Sequence, residues 1–256
     1  MKTLHIASAA LLTLFAVSAT ALQDGAGAKA TDGKKAEVRV GDPYILDTCP
    51  VSGEELGGMG EPVTLVVEGR EVKLCCNGCV KKMKAEPAKY FEKADKAIIA
   101  DQRRMYPLDT CLVSGEDLIE PGKDVEDPAI DLVVGNRLFR VCCGGCVKKI
   151  KKDPTKYFAK LDAAVIKDQL GHYPLENCVV REKSKLGSMG DPKQIVVANR
   201  LVQFCCKGCL PKFDKEPAKY IAKLDAAWMK MHGDSDGAKH DHAKKGDKKG
   251  HDHGDH

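Results

Sequence analysis

The twelve cysteines of this 256-residue chain fall into three sets of four. In each set three lie in a Cys-Cys-x-Gly-Cys cluster: Cys75, Cys76 and Cys79; Cys142, Cys143 and Cys146; Cys205, Cys206 and Cys209. The fourth stands alone upstream, at Cys49, Cys111 or Cys178. A thiolate is a soft metal ligand, and its pKa falls at a helix N-terminus and beside cations. Both conditions are expected here, because the last cysteine of each cluster should open a helix that continues with Lys81-Lys82-Met83-Lys84 or Lys148-Lys149-Ile150-Lys151-Lys152. The third copy, with Pro211 and Lys212, is weaker. Gly78, Gly145 and Gly208 let the backbone turn so that the flanking sulfurs face one centre. The spacing allows either Cys75 with Cys79 or Cys76 with Cys79 as ligands. With Cys49 added, each site has three or four sulfurs, a donor set for Zn(II), Cu(I) or heavier thiophilic ions. Of the eight histidines only His5 and His172 precede the tail, so these sites are thiolate-only unless a carboxylate helps.

The elements that must position the thiols repeat with them. The clusters are offset by 67 and 63 residues, and the same offsets carry Tyr90 to Tyr157 to Tyr220. The upstream cysteines are offset by 62 and 67, so insertions fall between the first cysteine and the cluster, marking a loop. Each copy begins with an extended lead-in, Tyr44 to Cys49, Tyr106 to Cys111 or Tyr173 to Cys178. A Gly-rich turn and a hairpin follow: Val63 to Val67 and Glu71 to Leu74 around Glu68-Gly69-Arg70, with counterparts from Ile130 around Gly135-Asn136-Arg137 and from Ile195 around Ala198-Asn199-Arg200. After the cluster the apolar period becomes helical, through Val80, Met83, Tyr90, Phe91, Ala94 and Ile98 and their equivalents. Glu86-Pro87, Asp153-Pro154 and Glu216-Pro217 mark the start of a second, longer helix. Tyr90, Tyr157, Tyr220 and Trp228 are expected in the cores.

The residues resemble the TRASH and YHS group of metal-binding modules, which is related to treble-clef zinc fingers. The likeness lies in the upstream cysteine, the hairpin, the C-x3-C pair and the following helix. Phe204-Cys205-Cys206-x-x-Cys209 and Asp153-Pro154-x-x-Tyr157 are similar to that group's Phe-Cys-Ser-x-x-Cys and Asp-Pro-x-x-Tyr. It covers roughly residues 42–101, 104–168 and 171–231. The resemblance implies an α+β fold of three tandem treble-clef-like units, each a hairpin followed by two helices. It also implies transition- or heavy-metal binding in trafficking, resistance or sensing, with Cys49, Cys75, Cys79 and their equivalents as ligands and a metal-transport or resistance protein as partner. This chain departs from the group in its second cysteine (Cys76, Cys143, Cys206), a fourth sulfur that either completes the site or is an oxidisable thiol. Its third repeat also has Val180-Arg181-Glu182-Lys183 in place of Val51-Ser52-Gly53-Glu54, losing the glycine turn beside Cys178.

Other readings of the thiols stay open. An even cysteine count in an exported chain also suits a disulfide framework, or structural zinc in an interaction protein. Adjacent cysteines with a C-x-x-C spacing also suit thiol redox chemistry, although no βαβ pattern surrounds them. No Ser/His/Asp set, paired catalytic acids or phosphate loop is present, so the chain reads as a non-enzyme.

Lys2, the apolar run from Ala7 to Val17 and Ala19-Thr20-Ala21 read as a secretory signal over residues 1–21. That run of roughly a dozen residues is shorter than the ~20 needed to span a bilayer. The mature chain is therefore expected in the periplasm or outside the cell, with no later membrane span. Residues 22–41, rich in Ala, Gly, Lys and Asp, read as a linker; the repeats then occupy 42–101, 102–168 and 169–231. The formal charge of +4 arises from 41 basic and 37 acidic side chains, a near-balance that offers no field for nucleic acid. Units this small lean on a metal or disulfides for stability.

Residues 232–256 combine His and Asp with Lys and Gly and almost no apolar side chain, which reads as a disordered tail. His240, His242, His251, His253 and His256, interleaved with Asp, are donors suited to weak binding of Cu(II), Ni(II) or Zn(II). Deleting residues 233–256 should abolish weak Ni(II) binding in a calorimetric titration and leave thiol-bound metal, measured by elemental analysis, unchanged.

Overall fold

A computed structural model of the chain describes residues 38–122 and 128–232. One order of elements occurs three times. In the first unit β1 (Val63–Val67) and β2 (Arg70–Leu74) form an antiparallel hairpin, followed by α1 (Asn77–Ala85) and α2 (Pro87–Arg103). The second has β3 (Ile130–Val134), β4 (Arg137–Val141), α3 (Gly144–Lys152) and α4 (Pro154–Gln169). The third has β5 (Lys193–Val197), β6 (Arg200–Phe204), a 3-10 turn at Lys207–Cys209, α5 (Leu210–Lys215) and α6 (Pro217–His232). Among these residues no helix is long and apolar enough to cross a membrane.

The hairpins close more tightly than the sequence suggests. Both central turn residues have positive φ, 53° and 75° at Glu68 and Gly69, 51° and 62° at Gly135 and Asn136, 51° and 59° at Ala198 and Asn199. This is the two-residue connection whose twist matches the flanking strands. Arg70, Arg137 and Arg200 therefore do not sit in the turns but head the second strands, and the third hairpin begins at Lys193, ahead of Ile195. The break between short and long helix follows from its proline. The residue before proline is excluded from the helical region, and Glu86, Asp153 and Glu216 sit at φ −135°, −140° and −134°. Asp153 is short enough to cap its helix, accepting from the Lys156 N–H at 3.2 Å.

Each long helix lays its apolar stripe on its own hairpin and cluster: Tyr90, Ala94 and Ile98; Tyr157, Leu161 and Val165; Tyr220, Leu224 and Trp228 are buried. Met83, Ile150 and Phe213 from the short helices are fully buried beneath them. An isolated two-stranded hairpin is marginal in water, and contacts between units supply the rest. Val196 and Leu201 of the third hairpin lie in the core of the second unit, and Met105 lies in that of the third.

Polar side chains fix the joints. At the end of α2, Gln102 donates to the Asn136 carbonyl at 2.8 Å and accepts from the Leu138 N–H at 2.9 Å. At the end of α4, Gln169 repeats this on Asn199 and Leu201, at 2.9 and 2.8 Å. In return Asn136 donates to the Glu71 carbonyl and Asn199 to the Leu138 carbonyl, at 2.9 and 3.0 Å. Where the chain enters the first unit, the Val40 N–H donates to Gly69 O and the Asp42 N–H to Gly135 O. Gly41 passes so close to this turn that a Cβ there would lie 2.4 Å from the Gly135 oxygen.

Gln169 is buried and satisfies both a backbone donor and an acceptor of the next unit. Gln169→Ala should therefore cost about 1–3 kcal/mol in urea unfolding, the penalty for orphaned buried groups. Lys96→Ala, which removes only an exposed i,i+4 pair with Glu92, should leave the midpoint unmoved.

Candidate metal centre

The upstream cysteine and the cluster converge because the lead-in folds back against the end of the second strand. In the first unit the Cys49 N–H donates to Glu54 O, the Gly53 N–H to Cys49 O and the Leu56 N–H to Asp47 O, forming a tight loop around Gly53 at φ +82°. The second unit copies this around Gly115 at φ +83°. The third lacks that glycine and makes the loop one residue longer, with Cys178 N–H reaching Ser184 O and Leu186 N–H reaching Glu176 O. The extra residue does what the left-handed glycine does elsewhere, and Cys178 reaches the same place.

The result is three thiol sets: Cys49, Cys75 and Cys79; Cys111, Cys142 and Cys146; Cys178, Cys205 and Cys209. In each the three sulfurs lie within 4.8 Å of one another. All are buried except Cys142, which is half-buried. Proximity to the upstream sulfur groups it with the C-x3-C pair in each set. Cys75 to Cys79 is 3.6 Å, Cys142 to Cys146 3.9 Å, Cys205 to Cys209 3.8 Å and Cys178 to Cys209 3.7 Å. A metal–sulfur bond of ~2.3 Å places sulfurs sharing one ion roughly 3.8–4 Å apart. The sets are therefore positioned to hold a metal ion, and all twelve cysteines are free thiols.

The middle cysteines differ from the rest. Cys76 and Cys143 are N-cap residues of α1 and α3, and Cys206 precedes the 3-10 turn in the same way, all with extended backbone. In the first two units the last cysteine is thus the third residue of its helix, not the first as the sequence suggested, whereas Cys209 ends the 3-10 turn and is the N-cap of α5. Each middle sulfur stays near it, at 3.8 Å for Cys76, 3.5 Å for Cys143 and 3.9 Å for Cys206, yet stands outside the mutual set.

Protons are distributed unequally. Burial pushes the upstream thiols up, but hydrogen bonds outweigh it. The Ser52 hydroxyl with the amides of Cys75, Ser52 and Val51 brings Cys49 down to about 7. The Ser114 hydroxyl with the amides of Ser114, Cys142 and Val113 brings Cys111 down to about 6. Cys178 is also lowered, by the amides of Cys205, Arg181 and Val180 against the effect of burial. Burial and the neighbouring thiols push Cys79, Cys146 and Cys209 up to about 12. Three thiolates this close repel one another, so a cation is what allows all of them to ionise. That asymmetry fits a cation-binding donor set.

Some contributors were missed in the sequence. Ser52 and Ser114 lie 3.3 Å from the Cys75 and Cys142 sulfurs, and the Cys-x-x-Ser spacing shared by two units was the available signal. In the third unit Arg181 takes that place and its backbone N–H donates to Cys178 at 3.4 Å. His240, His242, His251, His253 and His256, with the signal over 1–21 and most of the linker, lie outside the described residues.

No family model, curated protein or solved structure matches the chain. The centre is therefore judged on its own geometry.

In metal-free protein, brief alkylation at neutral pH followed by mass mapping should label Cys143 before Cys146. Cys143 is exposed and held below the ordinary thiol range, chiefly by the Cys146 amide, whereas Cys146 at about 12 stays protonated and buried. Equal labelling would refute this ordering.

Proposed function

We propose that this is an exported, non-catalytic protein that carries soft transition or heavy-metal ions on cysteine thiolates, in metal sequestration, trafficking or resistance. The observation that carries the reading is the convergence of three sulfurs in every unit to within 4.8 Å of one another, with the C-x3-C pairs at 3.6–3.9 Å. The ion is cargo: each site supplies three thiolates, a first cysteine already inclined to ionise and a buried last cysteine that needs the cation to do so. Such a set favours Cu(I) or Zn(II) over hard cations such as Mg(II) or Ca(II). The third unit belongs with the other two, because its longer loop restores the geometry that its missing glycine would otherwise provide. The resemblance to TRASH and YHS modules agrees with this assignment, as does the order of hairpin, cluster and two helices. Export rests on the signal-like segment. The role in trafficking or resistance, and a metal-transport or resistance protein as partner, rest on the resemblance alone.

Purified without oxygen, the chain should contain thiol-bound metal by elemental analysis, with most thiols titratable after denaturation. Cys79→Ser should lower the thiol-bound metal content from three ions per chain to two. Competition with a Cu(I) chelator then distinguishes copper from zinc. No metal and no titratable thiol would overturn the proposal in favour of disulfides.

A further inference from the structure

The thiols divide into two classes by geometry and, with half-buried Cys142 as the exception, by burial. Of the nine sulfurs in the three sets, eight belong to residues no more than 6% exposed. The three middle cysteines belong to the solvent side: Cys143 is exposed, and Cys76 and Cys206 are half-buried. A fourth structural ligand would be gathered with the other three, and an unconnected surface thiol would lie far from them. The middle sulfur does neither. In the first unit it is 3.9 Å from Cys75 and 3.8 Å from Cys79 but is not within the separation that joins those two to Cys49. It therefore touches one edge of the set from outside, and in the other two units the middle sulfur likewise lies beside the last cysteine without joining the set. Its N-cap position sets this. The extended backbone of Cys76, Cys143 and Cys206 turns the side chain out over the first turn, while the last cysteine, third in that turn, faces in.

We propose that Cys76, Cys143 and Cys206 are transfer ligands, the sulfurs through which a soft metal ion enters and leaves each buried three-thiol set. This rests on the metal-carrying reading above. A donor holding its ion as a thiolate complex cannot touch the eight buried sulfurs without opening a unit, but it can reach the middle one; in the second unit half-buried Cys142 is open to it as well. The step is ligand exchange with no change in oxidation state. The middle thiol gives its proton to solvent and its sulfur bonds the ion. One metal–sulfur bond to the donor breaks, and the freed donor thiolate takes up a proton. At 3.5–3.9 Å the middle sulfur and the last cysteine can share the ion, so the next donor bond is replaced before the ion is released inward; each set thiol that bonds the ion gives up its proton, and the middle sulfur, released last, takes one up. The reverse sequence unloads the site.

The test compares the full-length chain with a C76S/C143S/C206S variant, using Cd(II), whose thiolate charge-transfer band ignores the histidine tail. The variant should hold as many thiol-bound Cd(II) ions as the parent with similar affinity. Uptake from a cadmium–glutathione complex and loss to a dithiol chelator should each slow about tenfold or more, as expected when the attacking thiol is removed. A loss of stoichiometry, or an affinity lowered about tenfold or more, would make these cysteines structural ligands and overturn the proposal. Unchanged rates would make them bystanders and also overturn it. Should the triple variant fail to fold by circular dichroism, C143S alone, at the most exposed of the three positions, is read in the same way at its own site. A parent chain with no thiolate–cadmium band would refute the metal-carrying reading instead.

Discussion

The arginine that heads the second strand of each hairpin is the constraint around which the units assemble. Arg200 has no exposed surface. It is held by Asp225 of its own long helix, by Asp101 at the end of the first unit's long helix and by the Ala198 carbonyl. Arg137 is almost as buried, between Asp42, Asp162 and the Val196 carbonyl. Arg70 pairs with Asp95 and with the Asn136 side chain. A guanidinium taken out of water is tolerated only where its partners surround it, and removing one partner of such a pair costs about 3–5 kcal/mol. Because those partners come from different units, each hairpin reaches its place only when the neighbouring unit has reached its own. Asp42 shows this most directly. Its carboxylate accepts from Arg137 and from the Ala198 N–H, so one residue at the start of the first unit ties the hairpins of the second and third.

The same strands end at the cysteine clusters, so the polar joints and the thiol geometry are two ends of one element. β4 is gripped at its start by Gln102 through the Leu138 N–H and finishes one residue before Cys142. β6 is gripped through Leu201 by Gln169 and finishes one residue before Cys205. The orientation of the second and third clusters is therefore set by packing well away from the sulfurs, as expected where rigid elements and their hydrogen bonds hold the ligands in place.

Much of this was legible in the sequence because it depends on local rules. Period-two and helical apolar patterns gave the order of hairpin, short helix and long helix, and the acid–proline pairs gave the start of the second helix, where Asp153 does cap. The repeated spacing joined the upstream cysteine to its cluster but left C-x3-C and C-x2-C open; the C-x3-C choice came from the resemblance to TRASH and YHS modules. What was not legible depends on residues far apart in the chain. Nothing local shows that Gln102 serves Leu138 or that Arg200 needs Asp101. The strand limits shifted because two-residue turns with positive φ at both positions were read as longer ones, moving Arg70, Arg137 and Arg200 into the strands. The geometry of the third set was in doubt because the loss of its glycine was visible, whereas the extra loop residue shows only in the hydrogen bonds from Cys178 and Leu186.

The three thiol sets share no sulfur: each draws all its donors from one unit. In a cluster of bridged ions, losing one ion leaves the next with too few donors, so filling and emptying are all or none. Separate sets behave differently. Partly loaded chains would persist with their remaining sites complete. The substitution of Arg181 for Ser52 and Ser114 gives the third set surroundings unlike the other two. Unequal, independent sites on one rigid frame would make the chain a graded reservoir, taking up and giving back ions over a wider range of free concentration than any one of them could.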